Sequence, residues 1–195
     1  MRVLLRAILL LSLLFTGCIG VIRAQPYHVV LPNLLHSGDC QKPCWHGIRP
    51  GSTSVVEAVL LLRADEWVQS ESIERVDRRL RWQWSGAQHE LIDASEPGIL
   101  IVSNEHVFAI HLPLKVGMGD LQLSFGRPNW SSQGRYRDEA FIQYAYPSEH
   151  LSLLLSVSCP MGRQSYWHTR PEITLSGGFI RGVNYRPQSS YLKLC

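Results

Sequence analysis

His150-Leu151-Ser152-Leu153-Leu154-Leu155-Ser156-Val157-Ser158 is the stretch on which the fold turns. Successive side chains of an extended chain point to opposite faces, so Leu151, Leu153, Leu155 and Val157 face one way and Ser152, Ser156 and Ser158 the other. A strand with one dry and one wet face belongs to an antiparallel sheet covered on one side. Ala140 to Tyr146 reach this strand across Pro147-Ser148-Glu149 and form a hairpin with it. In that partner Tyr144 and Tyr146 share a face with Ile142. If Phe141 points to the covering layer, the two tyrosines line the open sheet surface, where aromatic side chains serve as anchors for a protein partner; equally, the C-terminal segment from Gly162 onward, with Tyr166 and Trp167, could cover them.

Working outward, Arg79-Leu80-Arg81-Trp82-Gln83-Trp84 alternates in the same way, with Leu80, Trp82 and Trp84 on its dry face. Gly98 to Ser103 and His106 to Leu112 read as a second hairpin, turning at Asn104-Glu105. Leu175 to Tyr185 supplies a last strand, loosened by Gly177-Gly178. The covering layer is helical. Ser54-x-x-Glu57 is a capping box, and Val55, Val56, Val59, Leu60 and Leu62 give the helix behind it an apolar stripe as far as about Asp65. The polar residues 67–77 fit a loop or a short second helix. Leu114 to Asp120 leads into another short helix ending at Phe125, with Gly126 suited to its C-terminal cap and Pro128 barring continuation. This order predicts an α+β fold, with short helices packed on one face of an antiparallel sheet. It reads as two tandem helix–strand units, residues 40–113 and 114–195.

Ahead of the folded part, Arg2 and Arg6 precede an apolar run from Ala7 to Phe15 and then Thr16-Gly17-Cys18. A charged start, a short apolar core and small residues before a cut site are the parts of a secretory signal, here residues 1–17. The expected location is extracytoplasmic. Residues 18–39, with Pro26, Pro32 and Gly38, have the composition of a tether. Cleavage after Ala24 instead would discard Cys18, and counting on to Arg23 nearly reaches the roughly 20 residues of an uncleaved membrane anchor.

Export places the cysteines in an oxidising compartment. Cys40, Cys44, Cys159 and Cys195 then read as disulfides, with Cys40–Cys44 and Cys159–Cys195 the favoured pairing and Cys44–Cys159 an alternative. His36, Cys40, Cys44 and His46 could instead supply two imidazoles and two thiolates to zinc, but their spacing follows no zinc pattern and oxidation consumes thiols. No metal is expected. Loss of residues 1–17 removes Arg2 and Arg6 and lowers the net charge from +3 to +1. Nearly balanced charge argues against a nucleic-acid partner.

Leu14-Phe15-Thr16-Gly17-Cys18 resembles the lipobox of bacterial lipoproteins, which implies a diacylglycerol on Cys18 and attachment to a membrane surface by lipid. Ile48-x-Pro50-Gly51-x-Thr53-x-x-x-Glu57-Ala58, and Val116-x-Met118-Gly119-Asp120 running to Phe125-Gly126-x-Pro128, resemble the helix entries of BamE-like lipoproteins and of the tandem-repeat β-lactamase-inhibitor-protein fold. Those families set helices against an antiparallel sheet and bind other proteins, so the resemblance implies a protein-binding or scaffold module. Pro43-Cys44-Trp45-x-Gly47-Ile48-x-Pro50-Gly51 is also similar to a segment of many uncharacterised bacterial lipoproteins. No interface motif of these families occurs, so no binding residue carries over.

No catalytic group emerges. No Gly-x-Ser-x-Gly, His-Glu-x-x-His, phosphate loop or EF-hand loop is present, and nothing calls for a cofactor. His106 and His111 lie on one strand with Glu105 at its turn, but residues five apart on a regular strand face opposite ways. Trp82 and Trp84 read as core. Trp45, beside the cysteine pair, either plugs the core or marks an exposed contact. A non-catalytic protein binder is therefore the expectation; a hydrolase or a carbohydrate- or peptidoglycan-binding domain is the alternative. A cleft holding a carboxylate hydrogen-bonded to a histidine would favour the enzyme.

Overall fold

The computed structural model describes residues 2–24, 34, 40–160 and 162–177. The chain divides into two units, residues 1–30 and 31–195. Among the described residues the first holds one helix, α1 (Arg2–Ala24), exposed from Ile8 to Gly20. It includes both Gly17-Cys18 and Ala24, the two cut sites expected from the sequence. Among the described residues no helix is long and apolar enough to cross a membrane.

Among the described residues after Leu34, the second unit holds α2 (Val55–Ala64), β1 (Glu74–Val76), β2 (Arg79–Trp82), β3 (Gly98–Ser103) and β4 (His106–Leu112). It continues with α3 (Met118–Phe125), β5 (Trp130–Tyr136), β6 (Glu139–Tyr146), β7 (Leu151–Ser158), α4 (Arg163–His168) and β8 (Glu172–Ser176). The eight strands form one antiparallel sheet in the order β1-β2-β3-β4-β8-β7-β6-β5. Each of α2 and α3 thus leads into a four-strand meander, and the two meanders meet where their last strands pair, from Ala109↔Ser176 to Leu112↔Ile173. This is the α+β layout expected from the order of elements.

The helices form for local reasons. Ser54 caps α2 by accepting a hydrogen bond from the Glu57 amide at 3.2 Å. Gly126, at φ 73°, ends α3 by donating its amide to the Gln122 carbonyl at 2.9 Å. The stripe of α2 matches the expected one at Val55 and Leu62 and departs from it elsewhere. Val55, Ala58 and Leu62 turn to the core, while Val56 and Leu60 are exposed.

Three elements depart from the sequence reading. Residues 67–77 contain a 3-10 turn at Ser70–Ser72 and the edge strand β1. The unforeseen strand β5 forms the opposite edge, and its Trp-Ser-Ser-Gln-Gly-Arg-Tyr run carries no apolar alternation. Strand β8 covers Glu172–Ser176, and its expected continuation to Tyr185 lies outside the described residues. Most of the expected tether also lies outside them, but Leu34 is 5% exposed and belongs to the core.

Beneath α2 the core is built on tryptophan. Trp45 stacks on Trp82 at 5.5 Å between ring centroids, and Trp84 meets Trp82 edge-on at 5.6 Å. Gly98, paired with Trp82 across β2 and β3, lies against that ring, and a Cβ there would overlap its atoms. Trp82 is fully buried in the close-packed core. We predict that Gly98→Ala destabilises the fold by about 1–3 kcal/mol through overpacking, read as a lowered denaturation midpoint. Gly134→Ala, whose new methyl meets nothing within 4 Å, should stay within about 0.5 kcal/mol of the parent.

Candidate functional site

The helices cover one face of the sheet, and register fixes what the other face presents. One line of cross-strand neighbours runs Glu74, Arg81, Ile99, His111, Thr174, Ser152, Ala145 and Trp130. A parallel line, two residues along, runs Val76, Arg79, Ile101, Ala109 and Ser176. Arginines on β2 therefore border isoleucines on β3, then a histidine on β4, then hydroxyls on β8.

A cavity of about 650 Å³ opens on this face, with Ile99 and Ile101 in its floor and Arg79, His111 and Glu172 in its lining. That volume suits a small ligand. Pro97, Pro113 and Pro171 stiffen one rim. Across that rim Arg170 donates to Asp93 at 3.1 Å, tying the turn before β3 to the entry of β8. The Asp93 carboxyl is held below its usual range chiefly by hydrogen bonds from the Ser95 side chain and amide, with help from Lys115 and Arg170. At the centre, His111 Nδ1 and the Thr174 hydroxyl share a hydrogen bond of 3.1 Å. Burial pushes the His111 imidazole below its ordinary value; Glu172 opposes that shift and Arg79 adds to it.

Sequence reading did not single out Arg79, Ile99, Ile101, Glu172 or the His111–Thr174 pair. The alternation that put Leu80 and Trp82 on the dry face of β2 already implied Arg79 and Arg81 on the other. The partners from β8 carried no local signal.

Comparison with protein-family models, curated proteins and solved structures gave no match.

The residues that were singled out lie elsewhere. Tyr144 is 0% exposed and Tyr146 2% exposed, so the expectation that they line the open surface is corrected, and Trp45, also 0% exposed, takes the core placement rather than that of an exposed contact. For the tyrosines the cause is strand parity. Ile142, Tyr144 and Tyr146 pair with Leu155, Leu153 and Leu151, and that whole set faces the helices, leaving Phe141 on the open side. The Tyr144 hydroxyl sits 2.6 Å from that of Tyr166, which accepts from Gln122 of α3 at 3.0 Å. Tyr146 donates to the Gly126 carbonyl at 3.2 Å. The phenols tie sheet to helices.

Cys40 and Cys44 form a disulfide, so their sulfurs are not metal ligands. Cys159 is also disulfide-bonded; its expected partner Cys195 lies outside the described residues, as does His36. Cys18 is an exposed free thiol. Next to the disulfide, His46 pairs through Nδ1 with Asp65, whose other oxygen accepts from the Trp67 amide at 2.8 Å. The imidazole lies between the Trp45 and Trp67 rings, with centroids at 4.6 and 4.5 Å. This pair clamps the disulfide turn to the end of α2.

His106 and His111 share a face after all. The register of β3 with β4 jumps at Phe108, from Ile101↔Ala109 to Val102↔Val107, and this bulge reverses the parity. Five residues at about 3.3 Å still hold the two rings' backbones some 16 Å apart.

His111 gives the site a pH dependence. The unfolded chain takes up this proton near the ordinary value of 6.5, and the folded state only at lower pH. Its contribution is thus fully present above that value and is lost as the pH falls through it. Between about pH 7.5 and pH 5.5 the melting temperature should drop, and His111→Gln should remove part of that drop. Equal pH slopes in the two proteins would contradict this account.

Proposed function

We propose that this chain is an exported protein, held at the outer side of the cell membrane by lipid on Cys18, whose folded unit binds a protein partner through the open face of its sheet without catalysis. The supporting observation is the built cavity on a face the helices leave uncovered, with charges of both signs around an isoleucine floor. Its lipobox-like N-terminus and its resemblance to lipoproteins that bind other proteins point the same way.

The Thr174–His111 hydrogen bond favours one other reading, a hydrolase with a threonine nucleophile. Two facts weigh against it. Thr174 is buried within a central strand, where pairing with both β4 and β7 takes up the backbone amides that an oxyanion would need. Among the described residues His111 also has no carboxylate hydrogen-bonded to it, since Glu172 acts on it through charge alone.

Two measurements test the proposal. In a bacterial host the parent should fractionate with membranes and Cys18→Ser should be released from them. Identical partition of the two proteins would remove the lipid anchor. Crosslinking in cells should yield a discrete adduct that Ile101→Arg abolishes at unchanged melting temperature, and an adduct indifferent to that substitution would remove the open face as the interface.

A further inference from the structure

The cavity is asymmetric in charge. Arg79 stands at its β2 end, and among the described residues it has no ion-pair partner. At the β8 end stands Glu172, likewise without an ion-pair partner, and Glu96 lines the same cavity from the turn that Asp93–Arg170 holds against β8. Asp93 and Arg170 neutralise each other, so the unbalanced groups are a guanidinium at one end and two carboxylates at the other.

Register sets the distance between those ends. Arg79 pairs with Ile101, whose line continues through Ala109 to Ser176; Glu172 lies four residues before Ser176 on the same face of β8. Three strand spacings of about 4.8 Å and four residues of about 3.3 Å separate the two backbone positions by some 20 Å on the diagonal. Both side chains are long and line one cavity, so their charged ends lie between about 10 and 20 Å apart; an extended tripeptide of about 10 Å with a contact of about 3 Å at each end spans about 16 Å. Along that diagonal lie Ile101, Ile99 and His111, an apolar floor and then a neutral hydrogen-bonding ring.

We propose that this cavity binds a short peptide of about three residues with free ends, its carboxylate on the Arg79 guanidinium, its ammonium at Glu172 and Glu96, and an apolar side chain on Ile99 and Ile101. Arg79 offers a planar fork matched to a carboxylate, and charge-assisted hydrogen bonds of this kind are about twice as strong as neutral ones. A lone anion would be repelled by the two carboxylates and a lone cation by Arg79, so the arrangement selects a ligand carrying both charges. The rim prolines and the Asp93–Arg170 pair hold the site open before the ligand arrives.

This inference rests on the open face being the binding surface. The test is titration calorimetry on the full chain with Ala-Leu-Ala, its C-terminal amide and its N-acetyl form. The free tripeptide should bind at millimolar concentration or better, and blocking either end should weaken it by about tenfold or more. Arg79→Gln should weaken the free peptide and make the protein indifferent to amidation; Glu172→Gln should do the same for acetylation. Both side chains are exposed, so unchanged melting temperatures are expected for the variants. Equal binding of free and blocked peptides, or no binding at all, overturns the inference. If the Ile101-dependent crosslink persists while the tripeptide does not bind, the ligand assignment alone has failed; if the crosslink is absent too, both have.

Discussion

The ladder between β4 and β8 is the constraint on which the rest of this molecule depends. Each helix-led meander by itself would end in an open strand edge with unsatisfied backbone groups, one at β4 and one at β8. Pairing Ala109 through Leu112 with Ser176 back to Ile173 closes both edges at once and moves them to the centre of the sheet. The same ladder brings Ile110 opposite Leu175, so the cores of the two meanders become one layer beneath the helices. It also makes the cross-strand lines of side chains on the open face continuous from β1 to β5.

On the covered face, packing and polar pairing act together. The tryptophans under α2 supply area, and Gly98 supplies the room that Trp82 requires. Toward α3 the buried aromatics are tyrosines, whose hydroxyls must find partners away from water; Gln122, Tyr166 and the Gly126 carbonyl provide them. The Cys40–Cys44 turn is fastened to α2 by His46 and Asp65 rather than by packing alone.

The open face obeys other rules. There the side chains need not be apolar, and the sheet acts as a grid that sets charges at fixed spacings. Arg79 and Glu172 come from strands that are neighbours in neither sequence nor space, and only the central ladder places them across one cavity. The chemistry of the site is thus a consequence of how the two meanders join.

The sequence by itself determined the class of fold. Period-two alternation in residues 79–84 and 150–158, the Ser54–Glu57 cap and the Gly126 stop are local signals, and each element formed where its signal lay. The cysteine pattern favoured Cys40–Cys44 but left Cys44–Cys159 open, and the structure joins the first pair. Edge strands β1 and β5 escaped notice because they leave no apolar period: β1 is exposed throughout, and the one buried residue of β5 is Ser131. Both faces of β6 carry aromatics, and its register with β7 decides which is covered: Tyr144 and Tyr146 pair with Leu153 and Leu151 and so go inside, where Tyr166 and the Gly126 carbonyl receive their hydroxyls. The bulge at Phe108, the burial of Trp45 and the meeting of Arg79, His111, Thr174 and Glu172 were likewise decided by tertiary structure, since each depends on pairing between segments far apart in the chain.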